Sequence, residues 1–410
     1  MNIFTKTVTA YSNTNLMIRI LIGLIIGSIL GLLAPGITAI EILGKLFVGA
    51  LKAMAPILVA VLVASSIAKA RGGLGKRFRL VIFLYMATTL LAAVLSVFAS
   101  KLFPITLKFP GATNSADIAP AALSEVFTNL ASNLMSNPVN AVSTASYLSL
   151  LFWAVLIGLA LKKRASAKTI DIVHEFAESI SLVVQWIIQC APFGIMGLVY
   201  ASVADSGLDI FTTYGKLLCL LVGCMCCTSL IINPIIVGCM LKKNPYPLVW
   251  TCLKSSAVSA FFTRSSAANI PVNMALCKRM GLDEDFYSVS IPLGSTINMD
   301  GAAVTITVMT LATAGTLGID VSLGSALMLS IIATLAACGA SGVAGGSLLL
   351  IPMACSLFGI SQDISMQVVA IGFIIGVVQD SVETALNSSG DVLFTATAEL
   401  YERKTLGSNH

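Results

Sequence analysis

The hydrophobic positions of this chain fall into long runs rather than the half-polar stripes of a soluble protein. A helix needs about 20 predominantly apolar residues to cross a bilayer core. Runs approaching or exceeding that length occupy 16–34, 42–69, 80–102, 147–161, 176–203 and 214–241. The first is not a short apolar core followed by a small-residue cleavage site, so it is expected to remain as an anchor. Lys45 and Lys52 place the start of the second at an interface or against other protein.

The second half of the chain is patterned differently. Segment 246–280 is apolar but interrupted by Thr263-Arg264-Ser265-Ser266, with Lys242 and Lys243 before it and Lys278 and Arg279 after it. Two arms of about 15 residues each rise only about 22 Å, short of a core about 30 Å thick. The segment is expected to be a re-entrant helical hairpin with its tip at mid-membrane. Segment 323–357 repeats the design around the small-residue stretch 339–346, without Lys or Arg at its flanks, and is expected to enter from the opposite side. Between them, 286–315 reads as a span broken by Pro292, Gly294 and Asn298-Met299-Asp300-Gly301, and 364–398 as one long helix, apolar first and polar later. Irregular backbone at membrane depth is tolerated only in protein or beside a cavity, and paired interrupted segments point to a transporter's binding site.

Basic residues set the orientation. Arg71, Lys76, Arg77 and Arg79 separate runs two and three; Lys162, Lys163, Arg164 and Lys168 separate four and five; Lys242 and Lys243 follow six. Segment 103–146, with Pro104, Pro110, Pro120 and Pro138, has only Lys108, and 204–213 has no Lys or Arg. The positive-inside rule puts both termini in the cytoplasm.

Composition sharpens the picture. Of 410 residues, 10% are charged and 57% hydrophobic, and the net charge is +5. Soluble domains carry about 25% charged residues. Mean hydropathy is +0.94. A soluble enzyme, a disordered chain and a nucleic-acid binder are all excluded as expectations. The ten cysteines lie mostly in apolar runs, and only His174 and His410 accompany them, so buried thiols rather than a metal site are expected.

The remaining charges are informative because lipid penalises them. Asp380, Glu383, Asn387 and Asp391 are spaced 3, 4 and 4, which places them on one stripe of a helix, widened by Thr384 and Ser388. Each carboxylate near the bilayer centre costs about 2.5–3.5 kcal/mol on insertion scales. Arg264, a bound cation, a substrate ammonium or protonation, above all of Glu383, can compensate. An unwound stretch around Gly294 and Gly301 would let Asn298, Asp300 and free carbonyls turn to one point. Oxygen ligands without thiol or imidazole suit Na⁺, with Asp300 and Asp391 as the cation carboxylates. Ser265 and Ser266 offer hydroxyls and backbone donors at a half-helix N-terminus, which suits a carboxylate. The small residues of 339–346 suit an outer gate. A shared-proton aspartyl protease built on Asp300 and Asp380 would leave two hairpins and the other carboxyls without a role. A passive anion channel is a further rival.

Thr263-Arg264-Ser265-Ser266-Ala267-Ala268-Asn269-Ile270-Pro271, Asn298-Met299-Asp300-Gly301, the 339–346 tip and the Asp380-to-Asp391 stripe resemble the dicarboxylate/amino acid:cation symporter family along nearly the whole chain. The resemblance implies an all-α polytopic protein with eight transmembrane helices, two re-entrant hairpins and inverted repeats. It implies a homotrimer working as an elevator in a bacterial inner membrane, with no cofactor beyond co-transported Na⁺ and no enzymatic activity. Scaffold helices would occupy 1–75 and 147–205, an extracytoplasmic loop 104–146, and the transport domain 76–103 and 206–410.

By the same resemblance, Asp380 holds the substrate ammonium and Asn387 its carboxylate, helped by Ser266 and Val343, and Ser265, Glu383 and Thr384 complete the substrate site. One sodium site would use Gly294, Asn298, Asn387 and Asp391. A second would use Thr296, Met299 and tip carbonyls of Ala337, Cys338 and Ala340. A third would use Asn298 and Asp300 with Tyr85, Thr88 and Thr89. Two departures stand out. Family members that take acidic substrates carry Arg where this chain has Glu383, and usually Thr where it has Ala302. A glutamate would repel a second substrate carboxylate and accept a hydrogen bond from a hydroxyl. That residue points to a small neutral hydroxylated amino acid, and with the resemblance the expected substrates are L-serine and L-threonine, taken up with sodium, the alternative being a dicarboxylate or acidic amino acid coupled to Na⁺ or H⁺.

Overall fold

The apolar runs fold as helices because a backbone in lipid must satisfy its own N–H and C=O groups. The computed structural model describes residues 14, 16–69, 76–107, 136–144, 147–340 and 345–407. Arg71, Lys108, Pro110, Pro120, Val343 and His410 lie outside them. Among the described residues there is no strand, and the helices are α1 (Leu16–Leu33), α2 (Thr38–Lys69), α3 (Lys76–Leu102), α4 (Pro138–Ser143), α5 (Tyr147–Arg164), α6 (Ala167–Gln189), α7 (Ala191–Ser206), α8 (Asp209–Leu241), α9 (246–263), α10 (Ser266–Arg279), α11 (Glu284–Ile297), α12 (Asp300–Thr316), α13 (Leu323–Ala337), α14 (Ser347–Ser356) and α15 (Gln362–Gly407). By length and composition α2, α3, α8, the pair α11–α12 and α15 can each cross a membrane, and the bent pair α6–α7 makes a sixth. The chain is thus a multi-pass, all-helical membrane protein.

One reading of the sequence is refined and one corrected. The run 176–203 predicts one span, and α6 and α7 together are long and apolar enough for one, but the chain bends by 53° between them. Pro192, in the first turn of α7, has no N–H to continue the ladder, and its ring would clash with the carbonyl four residues back. The break in 286–315 falls at Asn298 and Met299 alone, while Pro292 and Gly294 sit inside α11.

Close backbone approach builds one side of the molecule. Gly23, Gly27 and Gly31 recur every fourth residue on α1, facing α7. A Cβ at Gly23 would lie 2.2 Å from the Pro192 carbonyl oxygen, and one at Gly27 would lie 2.4 Å from that of Met196. Small residues four apart let backbones touch, which matters where lipid tails remove any hydrophobic gain between helices.

The helices pack in two groups. α1 lies on α7, and α2 lies on α5, α6 and α7. α3 lies on α12, α13 and α15, and α15 is further surrounded by α8, α9, α10, α11 and α14. Phe47 of α2 meets Phe373 of α15 edge to face, with ring centroids 5.2 Å apart, and Lys52 Nζ lies 2.6 Å from Asp363 Oδ1, so α2 faces α15 across the boundary. The pair α11–α12 and α15 are the most enclosed spans. That position lets them carry carboxylates at membrane depth, because protein rather than lipid supplies their partners.

Candidate functional site

The 3, 4, 4 spacing on α15 sets Asp380, Glu383, Asn387 and Asp391 on one inward face, none more than 5% exposed. Each meets a different neighbour. Asp380 Oδ2 accepts Arg264 Nε–H at 2.7 Å, and its Oδ1 accepts the Gly345 N–H at 3.1 Å. Arg264 reaches it because α9 ends there in a left-handed turn, φ 51° and ψ 33°, the usual helix-stop conformation. Glu383 Oε2 accepts from Thr305 Oγ1 (2.7 Å), Ser347 Oγ (2.9 Å) and Gln379 Nε2 (2.6 Å). Thr384 Oγ1 turns back onto the Asp380 carbonyl at 2.7 Å.

The break between α11 and α12 supplies the facing wall. Asn298 Nδ2 donates to the Asn387 carbonyl and to Asp391 Oδ1, both at 3.0 Å. Gly301 N–H, at the start of α12, donates to Asn387 Oδ1 at 2.8 Å, and Asn387 Nδ2 lies 3.4 Å from Met299 Sδ. A Cβ at Gly301 would stand 2.8 Å from Glu383 Cα, and one at Gly294 would stand 2.8 Å from Asp391 Oδ1. Both glycines are there for contact with α15. Asn298 Oδ1 and Asp391 Oδ2 are buried without a hydrogen-bond partner among the described residues. Two unpaired acceptor oxygens joined through one amide are costly unless a donor or cation meets them, and such oxygens suit a hard cation.

Asn298 and Asp300 do not turn to the same partners. Asp300 faces α3 and α8, where Thr89 Oγ1 lies 2.9 Å from its Oδ1 and Asn233 Nδ2 lies 3.5 Å from its Oδ2. Thr89 Oγ1 also accepts the Met299 N–H at 3.3 Å. Thr88 Oγ1 turns to backbone carbonyls of its own helix. Tyr85 Oη sits 2.9 Å from Thr395 Oγ1 and 3.1 Å from the Asp391 carbonyl. Tyr85, Thr88, Thr89, Asn298, Asp300 and Asp391 thus lie in two adjoining clusters, joined through Tyr85 and Met299.

The two interrupted segments converge on this wall. Ser265 caps α10, its Oγ accepting the Ala268 N–H at 3.2 Å, and Ser266 is buried directly behind it. The Ala337 carbonyl accepts the Ala340 N–H at 2.9 Å, and the Gly294 carbonyl accepts the Asn298 N–H at 2.9 Å. Thr296 Oγ1 donates to the Leu293 carbonyl at 2.8 Å. Cys338 Sγ approaches the Ile297 carbonyl to 3.7 Å, bringing the second tip onto the α11 break.

The structure adds residues that pattern reading passed over. Thr305, Ser347 and Gln379 surround Glu383; of these only Gln379, four residues before it on the same stripe, carried a spacing signal. Ser256, Asn269 and Asn273 gather around Ser388, with Asn269 Nδ2 at 2.8 Å and Asn273 Nδ2 at 3.0 Å from its Oγ. That network ties both arms of the first interrupted segment to α15. Its sequence trace was the four-residue spacing of the two asparagines on α10.

A compact group of carboxylates, amides and hydroxyls, enclosed between interrupted helices, can bind a small zwitterion and hard cations. Comparison with known proteins gives the family. Residues 16–399 match the sodium:dicarboxylate symporter family. A serine/threonine transporter of Bifidobacterium adolescentis is 57% identical over 95% of this chain and 91% of its own length. Those of Streptococcus thermophilus and Streptococcus agalactiae are each 54% identical, over 96% and 95% of this chain and 98% and 97% of their own lengths. This chain belongs to the sodium:dicarboxylate symporter family and is a transporter, not an enzyme.

Proposed function

We propose that the protein is a sodium-coupled symporter that imports L-serine and L-threonine across a bacterial inner membrane. The relatives that resemble it along almost their full length are named as serine/threonine transporters. The observation that carries the substrate reading is the carboxyl of Glu383, placed where acidic-substrate members of the family hold an arginine. A second substrate carboxylate would be repelled there, and a hydroxyl would be accepted.

In this reading the substrate ammonium meets Asp380, beside Arg264. Asn387, Thr384 and the tips at Ser265, Ser266 and Val343 receive the carboxylate, and Glu383 reads the side chain. Sodium is held by Asp391 with Asn298, Gly294 and Asn387, by Asp300 with Tyr85, Thr88, Thr89 and Asn298, and by Thr296, Met299, Ala337, Cys338 and Ala340. Binding the cations neutralises the buried carboxylates, which gives coupling a physical basis: an unfilled site leaves charge at membrane depth.

The finer architecture belongs to the same reading. Eight spans and two re-entrant hairpins form a scaffold (1–75 and 147–205) and a moving unit (76–103 and 206–410), with the loop 104–146 outside and both termini in the cytoplasm. The division of packing between α1, α2, α5, α6, α7 and the remaining helices supports it. The homotrimer follows from the family resemblance.

The test is uptake of labelled L-serine into proteoliposomes, with and without an inward sodium gradient. Concentrative uptake only with the gradient is expected; uptake indifferent to sodium overturns the coupling. Excess L-aspartate that blocks uptake where L-threonine does not would favour the acidic-substrate reading instead.

A further inference from the structure

Glu383 is held unusually firmly for a group that has to meet a changing ligand. Thr305 of α12, Ser347 at the start of α14 and Gln379 one turn earlier on α15 all donate to the same oxygen, Oε2. Gln379 Nε2 also donates to Thr305 Oγ1 at 2.7 Å, so two of the donors brace each other. All four residues are buried. The other carboxyl oxygen, Oε1, accepts no hydrogen bond from a described residue. An oxygen receiving three donors acts purely as an acceptor, so Glu383 presents its remaining chemistry through Oε1.

We propose that Thr305, Ser347 and Gln379 are positioning residues for substrate selection: by clamping Oε2 of Glu383 they fix Oε1 as the acceptor that distinguishes a hydroxylated amino acid from one without the hydroxyl. The inference rests on the reading of Glu383 given above and extends it to the residues that hold its other oxygen. The physical reason is preorganisation. A free glutamate side chain has three rotatable bonds, and a hydrogen bond to it repays little if the carboxyl must be ordered on binding. Held from three sides, the carboxyl meets the hydroxyl without that loss. Ser347 adds a second consequence. The segment carrying it also donates the Gly345 N–H to Asp380. The start of α14 therefore touches both carboxylates that face the ligand, and its placement and the placement of Glu383 depend on each other.

The experiment measures the inhibition constants of L-serine and L-alanine against labelled L-threonine uptake in proteoliposomes. The ratio of alanine to serine constants reads the worth of the hydroxyl. The wild type, Thr305→Val, Ser347→Ala and the conservative Thr305→Ser are compared. We expect a large ratio in the wild type. It falls by about tenfold in Thr305→Val and Ser347→Ala, as removing hydrogen bonds to a charged group should cause, through weaker serine binding with alanine little changed. Thr305→Ser retains the wild-type ratio. A large wild-type ratio that persists in both Thr305→Val and Ser347→Ala overturns the clamp and leaves Glu383 as the reader. A wild-type ratio near one overturns the reading of Glu383 itself. Serine and alanine weakening in parallel marks a general packing role and also overturns the clamp. Ser347→Ala deletes a single oxygen, so the test survives if Thr305→Val does not fold.

Discussion

Arg264 Nε donates to Asp380 Oδ2 at 2.7 Å, with the two side chains only 11% and 3% exposed. The arginine comes from the turn between α9 and α10 and the aspartate from the middle of α15, so the pair ties the first interrupted segment to the stripe. Breaking a buried pair from one side leaves an uncompensated charge and costs about 3–5 kcal/mol, whereas removing both charges is often neutral. Arg264→Met and Asp380→Asn should each lower the thermal midpoint of the purified protein, and the double variant should regain most of the loss. None of the three should transport serine. A strictly additive double variant would show that the pair is not coupled.

Sodium affinity should depend on Asp391 more than its neighbours suggest. Its Oδ1 is held by Asn298, and its Oδ2 is buried without a partner among the described residues. Asp391→Asn keeps the shape and removes the charge. The sodium concentration for half-maximal serine uptake should rise by at least about tenfold, the equivalent of 1.4 kcal/mol. A sodium titration of uptake decides it; an unchanged half-point would remove Asp391 from the cation site.

Gly294 and Gly301 are required for contact. An alanine at Gly301 must displace the backbone of α15 at Glu383, since the Cβ would lie 2.8 Å from its Cα. Overpacking of this kind costs about 1–3 kcal/mol. At Gly294 the obstacle is the Asp391 carboxylate at 2.8 Å and Tyr85 Oη at 2.9 Å. Gly301→Ala should therefore lower serine affinity at saturating sodium. Gly294→Ala should chiefly raise the sodium requirement. Measuring each ligand's half-point in both variants checks the division, and equal effects on both ligands would contradict it.

Glu383→Gln offers a sharper test than removal of the side chain. The three donors on Oε2 would select the amide oxygen for that place, leaving the amide N–H₂ toward the ligand. An acceptor is then replaced by a donor. L-serine should bind more weakly, while O-methyl-L-serine, whose ether oxygen only accepts, should lose less. Competition against labelled threonine measures both. Glu383→Arg should weaken serine uptake strongly, and unchanged serine affinity would argue against contact.

Much of this molecule was legible in the order of its residues. The apolar runs predicted helices because lipid leaves the backbone no other partner, and the spacing on α15 predicted one carboxylate face because a helix has a fixed period. The run 176–203 was legible as a span, and Pro192, which bends it, stands in the same run. The break in 286–315 was legible, but not its narrow position at Asn298 and Met299.

Sequence by itself determined the elements, the membrane setting and the residues whose charge is too costly to be idle. Tertiary structure decided which of them meet. Asn298 and Asp300 flank the break, yet one faces α15 and the other α3 and α8, so unwinding the helix there does not turn both side chains to one point. Glu383 acquired Thr305 and Ser347 from 78 and 36 positions away. No local pattern encodes such partners. A hydroxyl near a carboxylate depends on how three helices pack, and packing is settled by the whole set of side chains.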